Sequence, residues 1–510
     1  MNSPAVFLDR DGTLIEDRGH LSDPSHAVFY METVQALRRL QPHFLLFIVT
    51  NQNGVSRGIL RPEDANRVNT HVVQRLKGEG VAIREVYCCP HTREDGCACI
   101  KPKPFFLVKA AQDHGVDLSR SFVVGDHPAD VELAVNTGGR GIYVLSGHGS
   151  IHRNELNVPC EIVEGISGAA DAILCASAAM VLRRGGLVAF PTETVYGLGA
   201  DASNLAAVRR VFDVKGRPNT HPLIVHLAAS SDVGDWAEEL PDAAFRLAQK
   251  FWPGPLTIVL KRSAKVPNEV TGGLETVALR VPAHPLAQRL LKVFGGGIAA
   301  PSANRFGRVS PTTAEHVLND LGADVDFILD GGRCEVGVES TIVDFSTPKP
   351  ALLRHGGIPK ESIEAALMAD LPCPENEAIR CPGQHPSHYA PRARVILAPD
   401  GQILSKAKHF LAHGLRVAVI SPQPLASLPS DVIRLPLPEK ISDMARELYV
   451  TLRRADALQV NVVITALPPP AGLGVAIADR LRRAAGPRHQ RKSSEACGAE
   501  GENAVERKPS

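Results

Sequence analysis

Two stretches of the chain carry side chains that suit a phosphorylated nucleotide. Lys215 and Arg217 lie in VKGRPNTHPLIVH, and Ser302 and Asn304 lie in GIAAPSANRFG. Cationic and short polar side chains suit a triphosphate, because its negative charge must be neutralised before a nucleophile can approach phosphorus. A lone K-x-R is typical of a solvated surface, but together these four residues predict one site for a nucleotide polyphosphate.

Two carboxylates near the N-terminus indicate a second kind of chemistry. Asp9 and Asp11 lie in DRDGT, directly after the apolar run AVFL. One carboxylate can attack phosphorus and form an aspartyl-phosphate, and a second can protonate the leaving alkoxide and later deprotonate water. Alone, such a pair is typical of a solvated turn, but Thr50, Lys101 and the pair of Asp126 and Asp130 follow in further motifs. Magnesium would bridge Asp9, the phosphate and Asp126, so we expect a site that hydrolyses phosphate esters.

A cysteine-rich loop precedes Lys101. Four thiol and imidazole side chains follow a C-x-H…C-x-C spacing: Cys89, His91, Cys97 and Cys99. That set suits tetrahedral zinc, and closed sites with four protein ligands are structural. We expect the zinc to fix the loop that carries Lys101. Cys88 is adjacent to Cys89 and could substitute for it, so the sequence leaves both thiols open as ligands.

Alternating strands and helices must position the acidic residues near the N-terminus. Residues 5–9, 44–50 and 121–126 are apolar runs that end in polar residues, and 62–80 has a helical pattern. This alternation implies a parallel sheet covered on both faces, whose ligands bind beyond the carboxyl ends of the strands. We therefore expect a Rossmann-like α/β domain with the acidic motifs at that edge.

From about residue 176 the pattern favours an α+β domain with a twisted, mixed sheet. Strands are predicted at 256–261, 276–282 and 340–345, and a helix at 283–294. The whole chain is expected to divide into a parallel α/β domain at 1–150, a connector at 151–175, the α+β domain at 176–372, a Pro- and His-rich linker at 373–393, a small α/β domain at 394–485 and a disordered tail at 486–510.

Length and composition limit the class of protein. A chain of 510 residues is too long for one core, and three domains is the natural expectation. The net charge of +1 gives no overall field that favours nucleic acid. No apolar run of membrane-spanning length and no signal-peptide pattern is evident, and the uneven cysteine spacing is not that of a disulfide framework. We expect a cytoplasmic protein without a membrane or DNA partner. The sequence predicts no particular oligomeric state.

The acidic, threonine and lysine motifs together resemble the haloacid dehalogenase superfamily over residues 5–147. The branch with histidinol-phosphate and heptose-bisphosphate phosphatases is the most similar, because the Cys- and His-rich loop supports it. The resemblance implies Asp9 as nucleophile and Asp11 as general acid and base. It also implies two phosphoryl clamps and two sets of metal ligands: Thr50 and Lys101 on the phosphoryl group, Asp9, Asp11 and Asp126 on magnesium, and Cys89, His91, Cys97 and Cys99 on structural zinc.

Two departures from that family bear on the substrate. Family members often carry Arg where this chain has Ile100, and their TNQSG is here TNQNG. Loss of the arginine removes a bidentate donor to phosphate. A small phosphate ester is therefore the expected substrate, and a sugar bisphosphate is left open. The DRGHL segment at 17–21 is expected to line the entrance.

A second resemblance covers residues 176–485. Seven motifs occur in order: PTETVYGLG, KGRP, HPLIVH, WPGPLT, ALRVPAHP, APSAN and GVESTI. This series resembles the threonylcarbamoyl-AMP synthase family, in the two-domain form with a C-terminal α/β module. The family joins threonine, bicarbonate and ATP and releases pyrophosphate, and its product goes to a tRNA-modifying complex. The resemblance implies ATP, L-threonine and bicarbonate as ligands of this chain, with magnesium accompanying ATP.

The same resemblance assigns individual residues. It implies ATP contacts at nine positions: Lys215, Arg217, His221, Thr276, Ser302, Asn304, Ser310, Arg354 and, in the linker, His388. It implies threonine contacts at four positions: Thr194, His226, Arg280 and Ser340. A guanidinium fork fits the α-carboxylate of threonine. A hydroxyl partner is also expected, since a site built for a hydroxyl rejects analogues that lack it.

Two alternatives to a bifunctional enzyme stay open. The middle domain could act as an RNA-binding module, because isolated domains of this fold resemble binders of double-stranded RNA, and the first domain could be only a scaffold. The retained K-x-R and S-x-N residues favour a synthase, and the complete acid, threonine and lysine set favours a phosphatase. Tyr196 and Trp252 are expected to pack in the interior, and Glu193 is expected to be a surface or structural carboxylate.

Overall fold

The computed structural model describes residues 2–374, 388–422 and 427–486. The chain divides into two compact units, one of residues 1–305 with 310–382 and one of residues 306–309 with 383–510. The first unit contains both the parallel α/β domain and the α+β domain expected from the sequence. The expected tail, apart from its first residue, and residues 375–387 of the expected linker lie outside the described residues.

The first domain is built on a six-stranded parallel sheet. Its strands are β1 (Ala5–Leu8), β2 (Leu45–Asn51), β3 (Ile83–Cys89), β4 (Phe122–Gly125), β5 (Arg140–Val144) and β6 (Glu161–Val163). Its helices are α1 (Thr33–Leu40), α2 (Pro62–Gly78), α3 (Phe105–His114), α4 (Pro128–Asn136) and α5 (Gly149–His152), followed by α6 (Ile166–Arg183). The strand order is β3-β2-β1-β4-β5-β6. This confirms the predicted Rossmann-like sheet, with a reversal of strand order between β1 and β4 where such sheets bind ligands.

The second domain of the same unit is built on a nine-stranded mixed sheet. Its strands are β7 (Val188–Phe190), β8 (Gly197–Asp201), β9 (Ile224–His226), β10 (Leu256–Lys261), β11 (Thr276–Arg280), β12 (Ile298–Ala299), β13 (Phe327–Ile328), β14 (Thr341–Asp344) and β15 (Ala351–Arg354). Its helices are α7 (Leu205–Lys215), α8 (Asp242–Phe251), α9 (Asn268–Thr271), α10 (Pro285–Phe294), α11 (Ala314–Leu321) and α12 (Lys360–Leu367). β11 pairs parallel with β9 and antiparallel with β10, which confirms the predicted mixed sheet.

Residues 151–175, expected to be a connector, are part of the folded domains instead. They contain β6, which extends the first sheet, and the first half of α6. α6 packs against α1 of the first domain and α10 of the second. By length and composition α6 is apolar enough to cross a membrane, contrary to our expectation, and 56% of it is buried inside the protein. Burial between two domains accounts for its apolar sequence.

One hydrophobic core runs through both domains of the first unit. It includes Leu8 of the parallel sheet, Ile173 of α6 and Leu290 of α10, none of which is exposed. The rings of His43 and Phe327 stack across the boundary with their centroids 4.0 Å apart. Because close-packed cores transmit strain, we expect the two domains to unfold together.

The second unit contains a small α/β domain. Its strands are β16 (Arg394–Leu397), β17 (Val417–Ser421), β18 (Ile433–Pro436) and β19 (Val462–Thr465), and its helices are α13 (Asp400–Ala412), α14 (Ile441–Ala457) and α15 (Leu473–Ala485). The described strands pair in the order β16-β19-β17-β18, and all pairings are parallel. The predicted third α/β domain is confirmed.

Candidate active sites

The first site lies where the strand order of the parallel sheet reverses. Asp9 follows β1, Asp126 follows β4, and Thr50 lies near the end of β2. Lys101 lies in the segment that leads from the Cys-rich loop after β3 to α3. All four side chains are buried and line the same cavity. The structure therefore brings together residues that the sequence places in four separate motifs.

Lys101 bridges two carboxylates of this site. Its Nζ lies 2.6 Å from Asp9 Oδ1 and 2.6 Å from Asp130 Oδ1, and it donates to the carbonyl oxygen of Val49 at 3.2 Å. Burial disfavours the charge of Lys101, but the carboxylates of Asp130 and Asp9 outweigh burial and raise the lysine pKa. Lys101 therefore stays cationic, as contact with a phosphoryl group requires.

Three carboxylates form a cluster that suits a divalent cation. Oxygen atoms of Asp9, Asp126 and Asp130 lie within 4.8 Å of one another. Burial, together with repulsion between these groups, raises the pKa of Asp9 well above its usual range and that of Asp126 to about 6. Three carboxylates and the Lys101 ammonium give a net charge of −2 when all are ionised. Oxygen ligands with this charge fit magnesium.

The side chain of Asp11 lies outside this carboxylate cluster, and its role as a magnesium ligand stays a prediction. Its Oδ2 accepts hydrogen bonds from Arg10 Nη2 and Gln52 Nε2, each at 2.8 Å, and Gln52 also donates to Thr50 Oγ1. Asp130 takes its place in the cluster. The signal for Asp130 was present in GDHPAD, where a second carboxylate follows within one helical turn.

Two glycines make room for the Asp126 carboxylate. Gly12 (φ +78°) and Gly147 (φ +57°) have left-handed backbone conformations. A Cβ atom at these positions would lie 2.0 Å and 2.3 Å from Asp126 Oδ2. The same oxygen accepts a hydrogen bond from the backbone N–H of His148 at 2.7 Å. Only glycine combines this conformation with so close an approach.

The carboxylate cluster opens into a cavity of about 500 Å³. Asp17, Gly19 and His20 line it, so the DRGHL segment lies at the cavity wall as predicted. Arg57 and Arg93 line it as well. A cavity of this volume accommodates a small phosphate ester.

The Cys-rich loop gathers four potential zinc ligands. Ligand atoms of Cys89, His91, Cys97 and Cys99 lie within 4.8 Å of one another, with Cys99 Sγ at 3.3 Å from Cys89 Sγ and 3.4 Å from His91 Nδ1. Cys88 is not in this group. Three thiolates and an imidazole converging at such distances fit tetrahedral zinc. Of the two thiols left open by the sequence, the geometry selects Cys89.

The second site is built around the C-terminal end of α7. Lys215 is the last residue of α7, and Gly216 (φ 60°) ends the helix with a left-handed turn. Lys215 Nζ donates to the carbonyl oxygens of Ser302 and Asn304, each at 2.5 Å. The two motifs that predicted a nucleotide site therefore converge, through backbone carbonyls on the second motif.

Two cationic side chains are buried close together at this point. Arg217 Nη2 donates to the carbonyl oxygen of Pro222 at 3.0 Å, and His221, which precedes Pro222, is also buried. Burial and the nearby Arg217 guanidinium lower the pKa of Lys215 well below its usual range. An anion placed beside both groups would relieve their repulsion, and a polyphosphate supplies such a charge.

Thr276, predicted to contact ATP, is the first residue of β11. β11 pairs with β9 so that Ala278 lies opposite Ile224. The strand pairing that involves Thr276 itself is antiparallel, with Lys261 of β10. The contact of Thr276 with a nucleotide stays a prediction.

The residues predicted to bind threonine gather at neighbouring strand ends. His226 ends β9 and Arg280 ends β11, where the two residues are paired. Arg280 Nη2 forms a buried ion pair with Glu193 Oε1 at 2.6 Å, and Glu193 Oε2 accepts a hydrogen bond from the N–H of Ala283 at 2.9 Å. Thr194 follows Glu193 and is fully buried. Glu193 is therefore an internal carboxylate that orients Arg280, a role the sequence left open.

Ser340 connects the predicted threonine residues with the predicted ATP residues. Arg354 Nη2 donates to the carbonyl oxygen and to Oγ of Ser340, at 2.9 Å and 3.0 Å. Ser340 Oγ lies 2.7 Å from Thr257 Oγ1. On the preceding residue, Glu339 Oε1 accepts a hydrogen bond from Ser310 Oγ at 2.6 Å. Residues assigned to two different ligands thus form one buried polar network.

His226 offers a buried nitrogen to a ligand. Within the described residues, its Nδ1 has no hydrogen-bond partner. Burial and the positive charge of Arg280 lower the pKa of His226 to about 3, so the imidazole is neutral at pH 7. A neutral imidazole can donate to or accept from a polar ligand, depending on its tautomer.

The aromatic residues near these motifs fall into two groups. Tyr196 and Trp252 are buried in the core, and their polar atoms donate to backbone carbonyl oxygens, as the packing interpretation predicts. His388 belongs to the second unit, where its ring lies 5.7 Å from that of Phe306 and 4.1 Å from that of Tyr389. Its contact with a nucleotide stays a prediction.

The folds and the two sites define a nucleotide-binding α+β enzyme joined to a hydrolase-like α/β domain. The family model described as Telomere recombination matches residues 180–356, and the model described as Threonylcarbamoyl-AMP synthase, C-terminal domain, matches residues 358–486. The model described as HAD-hydrolase-like matches residues 98–167. The first two matches cover most of the mixed-sheet domain and all of the described C-terminal α/β domain.

Similar proteins identify the family. The threonylcarbamoyl-AMP synthase of Pyrococcus abyssi is 42% identical over 320 residues, which is 61% of this chain and 93% of that protein. The crystal structure of P. abyssi Sua5 complexed with L-threonine is 41% identical, covers 62% of this chain and 94% of that chain, and has a TM-score of 0.58. The chain therefore belongs to the threonylcarbamoyl-AMP synthase family.

A further solved structure is similar to the N-terminal part. D,D-heptose 1,7-bisphosphate phosphatase from B. bronchiseptica, complexed with magnesium and phosphate, is 28% identical and covers 34% of this chain and 98% of that chain, with a TM-score of 0.32.

Proposed function

We propose that the mixed-sheet domain makes threonylcarbamoyl-AMP from ATP, L-threonine and bicarbonate. Threonine and bicarbonate form a carbamate, and a carbamate oxygen attacks the α-phosphorus of ATP. The new bond joins that oxygen to phosphorus, and the bond to the bridging oxygen breaks, so that pyrophosphate leaves. The observation that carries this proposal is the convergence of Lys215 with the backbone of Ser302 and Asn304, in a chain that belongs to this family.

Charge screening and orientation account for the catalysis that this domain must supply. The carbamate is an anion that approaches a highly charged triphosphate, so the cationic Lys215 and Arg217 lower the barrier by balancing that charge. Magnesium, when bound with ATP, supplies further neutralisation of the phosphates. No covalent enzyme nucleophile is required.

Threonine recognition is proposed at the strand ends that hold His226 and Arg280. The Arg280 guanidinium, held by Glu193, offers a bidentate contact to the α-carboxylate. The hydroxyl groups of Thr194 and Ser340 supply polar partners for the substrate hydroxyl or amine. Both hydroxyl groups also have partners inside the protein, Thr192 for Thr194 and Thr257 for Ser340, which hold them in position.

For the parallel-sheet domain we propose hydrolysis of a small phosphate ester. An Asp9 oxygen attacks phosphorus, the ester bond breaks, and Asp11 gives its proton to the leaving alkoxide. Asp11 then takes a proton from water, which attacks the aspartyl-phosphate and releases inorganic phosphate. Lys101 holds Asp9 in position and neutralises charge on the phosphoryl group. Magnesium bound by the carboxylate cluster would supply electrostatic stabilisation, and zinc in the Cys-rich loop would hold that loop in place.

The same proposal includes where the enzyme works and what happens to its products. A cytoplasmic enzyme would draw on free ATP and threonine, and its threonylcarbamoyl-AMP would pass to a tRNA-modifying complex. The first domain would act on a separate phosphorylated metabolite.

Product identification tests the synthase proposal. Full-length protein is incubated with ATP, threonine and ¹³C-bicarbonate, and the products are analysed by mass spectrometry. We expect a threonylcarbamoyl-AMP species that carries the label. Formation of AMP or ADP without a labelled adduct would contradict the proposal.

A substitution of Asp9 tests the phosphatase proposal. We expect the full-length protein to hydrolyse p-nitrophenyl phosphate in a magnesium-dependent reaction, and Asp9→Asn to lower the rate at least about 1000-fold, because the nucleophile is lost. Synthase activity should be retained. Asp113→Asn is the matched control, since this exposed carboxylate of α3 forms an ion pair with Lys109, outside the residues that line the cavity. Hydrolysis that survives Asp9→Asn would assign the nucleophile elsewhere.

A further inference from the structure

An arginine of the parallel-sheet domain binds the backbone of the mixed-sheet domain. Arg39, on α1, forms an ion pair with Asp171 of α6, with 2.7 Å between Nη1 and Oδ1. Its Nε also donates to the carbonyl oxygen of Asp330, in the mixed-sheet domain, at 3.1 Å. The Arg39 side chain is 16% exposed, and neither of the proposed reactions uses it. The two contacts orient its guanidinium group at the boundary between the domains.

The hydrogen bond from Arg39 is received by a loop of the mixed-sheet domain, residues 330–336. The loop follows β13, a strand of two residues at the edge of the nine-stranded sheet. The stacking of His43 on Phe327, the first residue of β13, is a second contact from the parallel-sheet domain to this edge. A short edge strand makes few hydrogen bonds of its own, so contacts from the neighbouring domain help to fix the position of the loop.

The start of the 330–336 loop is attached to Tyr196. The hydroxyl of this buried residue donates to the carbonyl oxygen of Gly332 at 2.7 Å and accepts from the N–H of Gly331 at 3.2 Å. The Oδ1 atom of Asp330 accepts from the N–H of Gly332 at 2.9 Å and closes the turn. The residue that binds Arg39 through its carbonyl oxygen therefore belongs to the turn that holds Tyr196.

Both ends of the 330–336 loop contact the segment that carries proposed threonine contacts. Tyr196 lies two residues after Thr194, and the N–H of Val336 donates to the carbonyl oxygen of Glu193 at 2.8 Å. Glu193 in turn orients Arg280 through their buried ion pair. A shift of the loop would therefore displace groups that are proposed to hold the carboxylate and the hydroxyl or amine of threonine.

We propose that Arg39 is a positioning residue for threonine binding and acts through the 330–336 loop. This inference rests on the proposed synthase function, and it gives the parallel-sheet domain a part in that function. A cavity of about 490 Å³ at the boundary is lined by Arg39, Asp171 and Asp330. Because the boundary is open here, polar contacts rather than close packing connect the domains at this point. A smaller side chain at position 39 can therefore be tested without emptying a close-packed core.

The test measures KM for threonine and KM for ATP by pyrophosphate release from full-length variants. The variants are Arg39→Ala, Arg39→Lys and, as a matched control, Arg38→Ala, because the neighbouring Arg38 donates to the carbonyl oxygen of Glu79 within its own domain. We expect Arg39→Ala to raise KM for threonine about fivefold, with little change in KM for ATP or in kcat. Arg39→Lys should lose less, because it keeps the charge, and Arg38→Ala should behave as wild type.

A further substitution tests the route from Arg39 to the threonine site. Tyr196→Phe removes the hydroxyl that holds the loop, so Arg39→Ala should have little additional effect on KM for threonine in that background, whereas independent effects would multiply. Multiplying effects, an unchanged KM for threonine in Arg39→Ala, or equal rises in KM for threonine and ATP would overturn the inference and leave the synthase proposal standing.

Threonine binding separates this inference from the proposed function. If wild-type protein makes no threonylcarbamoyl-AMP, the synthase proposal fails, and calorimetry with L-threonine then decides the inference. Affinity that is weakened by Arg39→Ala and retained in Arg38→Ala would support it. Absent binding, or equal affinity in wild type and Arg39→Ala, would overturn it.

Discussion

The Nζ atom of Lys215 lies 2.5 Å from the carbonyl oxygen of Ser302, although 87 residues separate them in the chain. This contact joins the C-terminal end of α7 to the loop that follows β12. The acceptors on the APSAN motif are backbone carbonyl oxygens, so these two hydrogen bonds of Lys215 do not involve the side chains of Ser302 and Asn304. The arrangement places the Lys215 ammonium group at the meeting point of two motifs, where Arg217 is buried as well.

Replacement of this cation should disable the synthase. We expect Lys215→Ala to lower kcat/KM for ATP at least about 100-fold, because the removed ammonium balances charge that develops on the phosphates. The measurement is threonine-dependent release of pyrophosphate. The exposed Lys250→Ala should retain full activity. Loss of p-nitrophenyl phosphate hydrolysis in the same Lys215→Ala protein would indicate misfolding and would contradict a local role.

Zinc content distinguishes the two adjacent cysteines. We expect about one zinc per chain by elemental analysis, retained in Cys88→Ser and lost in Cys89→Ser, because only Cys89 lies with His91 and Cys99. The two variants remove the same atom from neighbouring residues and serve as controls for each other. Equal zinc loss in both, or loss only in Cys88→Ser, would reassign the ligand.

The core shared by the two domains of the first unit predicts coupled unfolding. Ile173 is fully buried in α6, and Ile173→Ala should lower the free energy of unfolding by about 3 kcal/mol. Phosphatase and synthase activities should then be lost at the same reduced temperature in heat-inactivation curves. Val135→Ala, at a half-exposed position of α4, is the control. Loss of one activity well before the other would show that the domains unfold separately.

His226 should make stability depend on pH. Its pKa is about 3 in the folded protein and 6.5 in an unfolded chain, so the unfolded state gains a proton below pH 6.5 that the folded state excludes. Relative to acidic pH, the folded protein is more stable above pH 6.5, where both states hold a neutral His226. That stability is lost as the pH falls from 6.5 toward 3. In urea denaturation between pH 7 and pH 5, wild type should lose about 2 kcal/mol more than His226→Gln. Parallel curves for the two proteins would contradict a neutral buried His226.

Features encoded by short motifs could be predicted from the sequence. An apolar strand followed by a carboxylate fixes both the strand and the edge at which the side chain emerges, as for Asp9 and Asp126. The two sheets were predicted from apolar runs of this kind. The convergence of Lys215 with the APSAN motif was predicted from the cationic and polar groups that a triphosphate needs. Patterns of this kind are local, and the fold brings them together.

Features that depend on tertiary contacts could not be predicted. Asp11 lies two residues from Asp9, yet Arg10 and Gln52 turn its carboxylate away from the cluster that Asp130 completes. The ion pair of Glu193 with Arg280 joins residues from distant strands. The sequence of α6 is apolar on most sides, and only its packing between two domains reveals why residues 151–175 are not a connector.

The most direct test of the central claim is pyrophosphate release by the purified full-length protein, measured with ATP and with threonine or bicarbonate omitted in turn. Release should require both, since the attacking carbamate forms only from the pair. Release at the same rate without threonine would show that water, or another nucleophile, attacks ATP, and the assignment of the Lys215 site to threonylcarbamoyl-AMP synthesis would be wrong.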